Sequence, residues 1–202
     1  MRENGLKRIY RFLGKITSVK LLDISTKINP NHITISSFIS VLFGILLVVF
    51  TNNPIYLVIG MQLALILDYA DGEYARATLK TSKNGHYLDS MLDIFKIVLV
   101  YCFIYFINNS EIDRVLVFLN LAIFSIFLWS KIDIGKIKTS VNTDFKEGSY
   151  FKTNLLFGYS LVHHYLYISF YLLTAIDLFL ILPIVFGSIL IYKNYRNIFR
   201  VN

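Results

Sequence analysis

The sequence predicts an all-α, polytopic membrane protein: six transmembrane helices preceded by an N-terminal amphipathic helix in the membrane interface. Three observations carry this. Of 202 residues, 55% are hydrophobic and only 16% charged, and the apolar residues fall in long runs. The basic residues gather at the ends of those runs. A few acidic residues lie inside the runs at helical spacing, where an ionisable group is costly and marks function.

Residues 6–22 interleave Leu6, Ile9, Tyr10, Leu13, Ile16, Val19, Leu21 and Leu22 with Lys7, Arg8, Arg11, Lys15 and Lys20. Apolar positions three and four apart form one helix face, suited to lying on lipid. This stretch lacks both the continuous apolar core and the small-residue cleavage site of a signal peptide, so the first span is expected to act as the insertion signal. Asn29-Pro30-Asn31 breaks the chain, and Thr34 or Ser36 is placed to cap the next helix. Spans are predicted at 33–50, 55–78, 86–107, 114–130, 154–174 and 177–192, each near the ~20 residues that cross a bilayer. Thr51–Pro54 and Asn108–Asp113 read as short turns. No internal repeat or low-complexity linker divides the chain. One domain, 1–202, is therefore expected, with the interfacial helix in 1–30 and a six-helix core in 33–192.

Lys and Arg set the expected topology. They cluster in four places: at Arg2, Lys7, Arg8, Arg11, Lys15, Lys20 and Lys27; at Arg76, Lys80 and Lys83; at Lys131, Lys136, Lys138, Lys146 and Lys152; and at Lys193, Arg196 and Arg200. Six spans place all four clusters on one face, which makes that face and both termini cytoplasmic. Only Arg114 falls opposite. The formal net charge of +7 then points to anionic lipid and an anionic substrate rather than nucleic acid. The single cysteine, Cys102, sits in an apolar run and excludes an intramolecular disulfide.

The second and third spans carry the chemistry. Residues 68–93 read DYADGEYARATLKTSKNGHYLDSMLD. Asp68 and Asp71 are three apart and Asp89 and Asp93 four apart, so each pair shares a helix face. The two helices are antiparallel, so four carboxylates can meet between them. Unneutralised, they would repel one another and take up protons. Divalent cations resolve this, and an all-oxygen donor set favours Mg²⁺, Mn²⁺ or Ca²⁺ over zinc. Gly72, Ala75 and Gly85 remove bulk beside the acids, leaving room for a planar base or a diphosphate. Arg76 offers a fork-shaped donor for phosphate. Helix packing alone also accounts for the small residues, but not for four buried acids.

This stretch resembles the signature of the CDP-alcohol phosphotransferases, integral membrane enzymes of phospholipid synthesis. Asp68, Asp71, Gly72, Ala75, Arg76, Gly85, Asp89 and Asp93 match its eight fixed positions at the family spacing. The six-span layout, the N-terminal helix and the Pro30-Asn31 break are also similar to the family. The resemblance implies that Asp68, Asp71 and Asp89 bind metal, with Asp93 completing a two-ion Mg²⁺ or Mn²⁺ site. Asp93 would also be the catalytic base. Gly72, Ala75, Arg76 and Gly85 would cradle the CDP moiety. The implied reaction is attack of a small polar acceptor's hydroxyl on a CDP-alcohol, releasing CMP, in a homodimeric enzyme of a prokaryotic cytoplasmic membrane. Compact chains of this kind resemble the phosphatidyltransferase members, which use CDP-diacylglycerol or an archaeal ether-lipid equivalent. Transfer from a soluble CDP-alcohol such as CDP-choline to diacylglycerol is the alternative.

The acceptor stays open. Ser90 and Ile94 depart from the pattern of phosphatidylglycerophosphate synthases, and Ile94 also departs from the inositol-phosphate group. The run Asp71–Arg76 looks somewhat like that same group. Outside the motif, Lys96 either contacts a substrate phosphate or pairs with a carboxylate. Lys131, Lys136 and Lys138 are candidate acceptor-phosphate contacts, or simply the positive-inside signal. His163 and His164 are adjacent on the fifth span, so at most one faces a cavity; packed histidines are the plainer reading. Trp129 reads as an interface anchor. A carboxylate-lined cation transporter would explain intramembrane acids. The chain, however, lacks the paired halves of such folds, and Arg76 opposes cation passage.

Overall fold

The computed structural model describes residues 5–138 and 161–199, with side chains over 7–126 and 162–192. The described chain forms seven α-helices and no strand: α1 Gly5–Ile24, α2 Pro30–Thr51, α3 Ile55–Ala77, α4 Lys83–Ile107, α5 Glu111–Lys138, α6 Leu161–Thr174 and α7 Leu178–Phe199. Three of them, α2, α3 and α4, are long and apolar enough to cross a membrane. Leu178–Tyr192 is a shorter apolar stretch within α7. The helix α5 begins at Glu111 and runs on to Lys138, well past the predicted span end at 130. The predicted 154–174 span is seen from Leu161 onward, because 154–160 lie outside the described residues.

The start of α2 corrects an expectation. Asn29, not Thr34 or Ser36, caps it: its side chain accepts from the Asn31 N–H at 3.1 Å, and Pro30 takes the first helical position. Thr34 and Ser36 lie a turn further on and donate back to the Pro30 and His32 carbonyls. At the far end Asn52 adopts a left-handed conformation (φ 55°) and its N–H closes on the Val48 carbonyl. A similar device opens α4, where the Ser82 hydroxyl accepts from the Gly85 N–H at 3.0 Å.

The centre of the fold is α3. Its Leu57, Met61, Ala64 and Leu65 are buried against Val41 of α2, Val100 and Tyr101 of α4, and Tyr165 and Ile168 of α6. The approach of α2 to α3 is set by two glycines: a Cβ on Gly60 would lie 2.6 Å from the Ser40 carbonyl oxygen, and one on Gly44 2.9 Å from that of Tyr56. Backbones meet this closely only where small residues face each other.

The N-terminal helix has a protein partner as well as apolar surface. It runs beside the C-terminal half of α3, with Tyr10 hydrogen-bonded to Gln62, Gly14 against Tyr69 and Ala70, and Tyr74 donating to the Ser25 carbonyl. Gln62 also donates to Ser169, so α1, α3 and α6 are joined at one point. Ile9, Phe12, Ile16 and Val19 stay exposed, Phe12 by 63%. At the opposite end of the bundle, Asp113 receives hydrogen bonds from Asn108 and Tyr171, each 2.7 Å. That junction ties the α4–α5 turn to α6.

Candidate active site

The site forms where α2, α3 and α4 converge. Asp68 and Asp71 come from α3, Asp89 and Asp93 from α4, and Thr34 and Ser37 from α2. One oxygen from each of Asp68, Asp89 and Asp93 lies within 4.8 Å of the other two, close enough to share an ion. Oδ1 of Asp89 is buried with no hydrogen-bond partner. A carboxylate oxygen left so is strongly disfavoured unless a cation meets it. The donors are all hard oxygens, so the residues present fit Mg²⁺ or Mn²⁺.

The four acids do not form one symmetrical cluster. Asp71, 6% exposed, turns toward α2, where Thr34 donates to its Oδ2 at 2.6 Å. Asp68 turns toward α4. The two differ by three helix positions, about 60° around the axis, whereas Asp89 and Asp93 differ by about 40° and point together. The sequence expectation of four convergent carboxylates is therefore met by three, with the fourth held alongside by a hydroxyl that sequence reasoning had set at a helix cap.

Lys96 pairs with two carboxylates. Its side chain is wholly buried, and Nζ lies 2.8 Å from Asp68 Oδ1, 2.7 Å from Asp93 Oδ1 and 2.9 Å from Ser37 Oγ. Ser37 in turn donates to the Ala64 carbonyl at 3.0 Å. Two of the Lys96 contacts, to Asp68 and Ser37, are hydrogen bonds, and the third is an ion pair with Asp93. Ser37 was invisible to sequence reasoning, because only tertiary packing brings α2 behind the acids.

The small residues divide by role. A Cβ on Gly85 would meet Ser82 Oγ at 3.0 Å and Asn31 Oδ1 at 3.2 Å, so packing against the start of α2 accounts for that glycine. At Gly72 the three atoms nearest to an added Cβ belong to the Arg76 guanidinium, at 3.5 Å and beyond. Contact with a neighbouring helix backbone does not force a glycine there, since those atoms lie at ordinary contact distance on a flexible side chain. Arg76 is 60% exposed and pairs with Glu73 at 2.8 Å, so its guanidinium can leave that pair at little cost. Ala75 is half-buried beside it. Lys80 donates to the Thr26 and Ile28 carbonyls and so fixes the α1–α2 connection over this end of α3.

Both histidines are buried. His164 Nδ1 meets the Tyr101 hydroxyl at 2.9 Å, and its ring packs edge-on to Tyr101 and Phe124. His163 packs near Tyr167. They are core residues, as their positions suggested. The backbone of α5 passes through Trp129, Lys131, Lys136 and Lys138, whose side chains lie outside the described set.

The described residues are all helical, include three apolar helices of span length, and bring carboxylates from two of these together, the features of a helical membrane protein. The family is specific: residues 27–194 match the CDP-alcohol phosphatidyltransferase family model, and the chain belongs to that family. Three curated relatives carry the name bifunctional IPC transferase and DIPP synthase. The Archaeoglobus fulgidus protein is 46% identical over 72 residues, covering 36% of this chain and 14% of the relative. The Thermococcus kodakarensis protein is 40% identical over 87 residues, covering 42% and 19%. The Aquifex aeolicus protein is 40% identical over 67 residues, covering 33% and 15%. The chain thus spans less than a fifth of the length of these relatives. No solved structure matches.

Proposed function

We propose that this protein is a divalent-metal-dependent CDP-alcohol phosphotransferase, with Asp68, Asp89 and Asp93 holding the metal and Asp71 beside them. The observation that carries the reading is the convergence of those three carboxylates around an unpartnered Asp89 oxygen. Bound there, Mg²⁺ or Mn²⁺ supplies neutralising charge to a diphosphate and to the departing phosphate of CMP. The space at Gly72 receives the CDP moiety, with Ala75 and Gly85 on the same hairpin. Arg76, exposed, exchanges Glu73 for a phosphate oxygen.

Asp93 is the general base. Its Oδ1 is fixed by Lys96, which leaves the other oxygen to take the proton of the acceptor hydroxyl. The acceptor oxygen then bonds to the β-phosphorus, the bond to CMP breaks, and CMP leaves with the electron pair. The donor is CDP-diacylglycerol or an ether-lipid equivalent, in keeping with helices that can bury its chains in a bilayer, and the acceptor is a small polar alcohol. A second reading is transfer from a soluble CDP-alcohol; the relatives' name, bifunctional IPC transferase and DIPP synthase, mentions no phosphatidyl group.

The chain is read as one domain with six spans, α2 to α7. Its basic clusters put both termini and the carboxylate site at the cytoplasmic face of a prokaryotic membrane. On this reading α1 lies where that face meets lipid. Broad exposed apolar faces on α2 and α5 suit lipid and a second copy of the chain, and a homodimer is the proposed assembly.

The test is CMP release by purified protein supplied with CDP-diacylglycerol, its ether-linked analogue or a soluble CDP-alcohol, each against a panel of polyol phosphates, amino alcohols and diacylglycerol. Acceptor-dependent release that chelation abolishes and Mg²⁺ or Mn²⁺ restores is the expected result. Full release after metal stripping would overturn the metal assignment. No CMP from any pair would overturn the transfer reaction.

A further inference from the structure

Tyr165 carries a buried polar group that the reaction above leaves unused. Its side chain is wholly buried in the core shared by α3, α4 and α6, and its hydroxyl has no hydrogen-bond partner. A phenyl ring would fill the same space, and a buried hydroxyl left unpaired destabilises the fold. We propose that the Tyr165 hydroxyl donates to the Asp93 carboxylate, through at most one buried water, and so acts as a positioning residue for the base. The inference rests on the reading of Asp93 as the base and deepens it.

Two hydrogen bonds set where that hydroxyl lies. Gln62 of α3 donates to Ser169 at 3.0 Å, and the Tyr101 hydroxyl of α4 meets His164 Nδ1 at 2.9 Å. They pin α6, on either side of Tyr165, to α3 and to α4. Asp68 lies beyond Gln62 along α3, and Asp93 lies before Tyr101 along α4. With α6 antiparallel to α3 and parallel to α4, as six spans require, both acids lie toward the N-terminal end of α6. That is the direction in which a helical side chain leans. The charges of Asp93 and Asp68 both reach the Tyr165 hydroxyl. Asp93 Oδ1 is buried too; Lys96 meets it as an ion pair, and no hydrogen bond reaches it. A donor without an acceptor and an acceptor without a hydrogen bond thus face one cluster from different helices. A buried water between two such groups restores both. A second contact on Oδ1 stops the carboxylate from turning about its pair with Lys96 and leaves the other oxygen for the acceptor's proton, the part an orienting group plays behind a base.

The test is Tyr165→Phe, alone and combined with Asp93→Asn, in purified protein in lipid nanodiscs with Mn²⁺. Three quantities are read: CMP release from a donor and acceptor that the wild type turns over, CDP affinity, and melting temperature. For Tyr165→Phe, kcat is expected to fall by about 10–100-fold, the usual cost of removing a hydrogen bond behind a carboxylate of this kind. CDP affinity is expected to hold, because the hydroxyl meets neither nucleotide nor metal. In the Asp93→Asn background the same change is expected to cost no further release, since the residue it positions is already lost. A merely packed tyrosine gives the opposite result: wild-type kcat, with a melting temperature equal or higher, because the change removes only an unpaired hydroxyl. That result would overturn the proposal. So would equal losses of kcat and CDP affinity, a further fall in the Asp93→Asn background, or a Tyr165→Phe protein that does not fold, each of which makes the hydroxyl structural. Near-normal release from Asp93→Asn alone would instead bring down the base assignment on which the proposal rests.

Discussion

Asp93→Asn tests the proposed base role of Asp93 apart from its proposed role as a metal ligand. The amide preserves the size of the side chain and can still offer an oxygen to Lys96 or to a metal, but it cannot take a proton. In the structure the change removes one of two ion pairs at Lys96, leaving Asp68 at 2.8 Å and Ser37 at 2.9 Å. A hydrogen bond to a neutral amide replaces the lost pair, so the fold is expected to lose about 1–3 kcal/mol, not the whole value of a broken buried pair. Turnover should fall far more. A positioned general base contributes ~10²–10⁴-fold, or about 3–5 kcal/mol of barrier. Affinity for CDP should change by less than about tenfold, because the amide oxygen can still meet the metal that would hold the diphosphate. Asp68→Asn should weaken metal and nucleotide binding together. Both quantities are measurable in the same preparations, by titrating CDP binding and by timing acceptor-dependent CMP release. Near-normal release from Asp93→Asn would refute the assignment. Equal loss of nucleotide binding in both variants would leave Asp93 as a ligand only.

Three further outcomes follow from the same geometry. Asp89→Asn should abolish Mn²⁺ binding and CMP release yet leave metal-free thermal stability unchanged or slightly raised, because it removes a charge whose Oδ1 has no partner; a large fall in melting temperature would show that Asp89 is structural. Gly60→Val should destabilise the fold by about 1–3 kcal/mol, read from thermal unfolding in detergent, because even its Cβ would sit 2.6 Å from the Ser40 carbonyl oxygen; an unchanged melting temperature would mean that α2 and α3 do not approach so closely. In a Cys102→Ser background, cysteines introduced at Ser140 or Arg200 should resist an impermeant maleimide added outside intact cells; labelling there would contradict six spans with the basic face inside.

How far the sequence reached differs between fold and site, for physical reasons. The helices α2, α3 and α4 lie within three residues of their predicted spans at either end, because a bilayer demands long uninterrupted apolar runs and Pro30, Pro54 and Asn108 punctuate them. The extension of α5 past residue 130 was not legible, since beyond the apolar run its residues turn polar and no breaker marks where the helix ends. The cap of α2 was misread although Asn29 followed by Pro30 is itself a helix-start signal; two hydroxyl residues just downstream competed for the same role.

Within the site, everything that depends on one hairpin was readable and everything that depends on α2 was not. Periodicity alone says that Asp89 and Asp93 point together and that Lys96 joins them one turn later. It says nothing of what lies on the third side. That side decides the chemistry. Thr34 draws Asp71 out of the cluster, and Ser37 fixes Lys96 into it. An ammonium at that position, on a sequence basis, was equally a handle for substrate phosphate. With Ser37 and two carboxylates around it, it is a buried counter-charge to the acids. The motif therefore specifies which residues meet, while the helix behind it specifies which of them remain available to a metal ion.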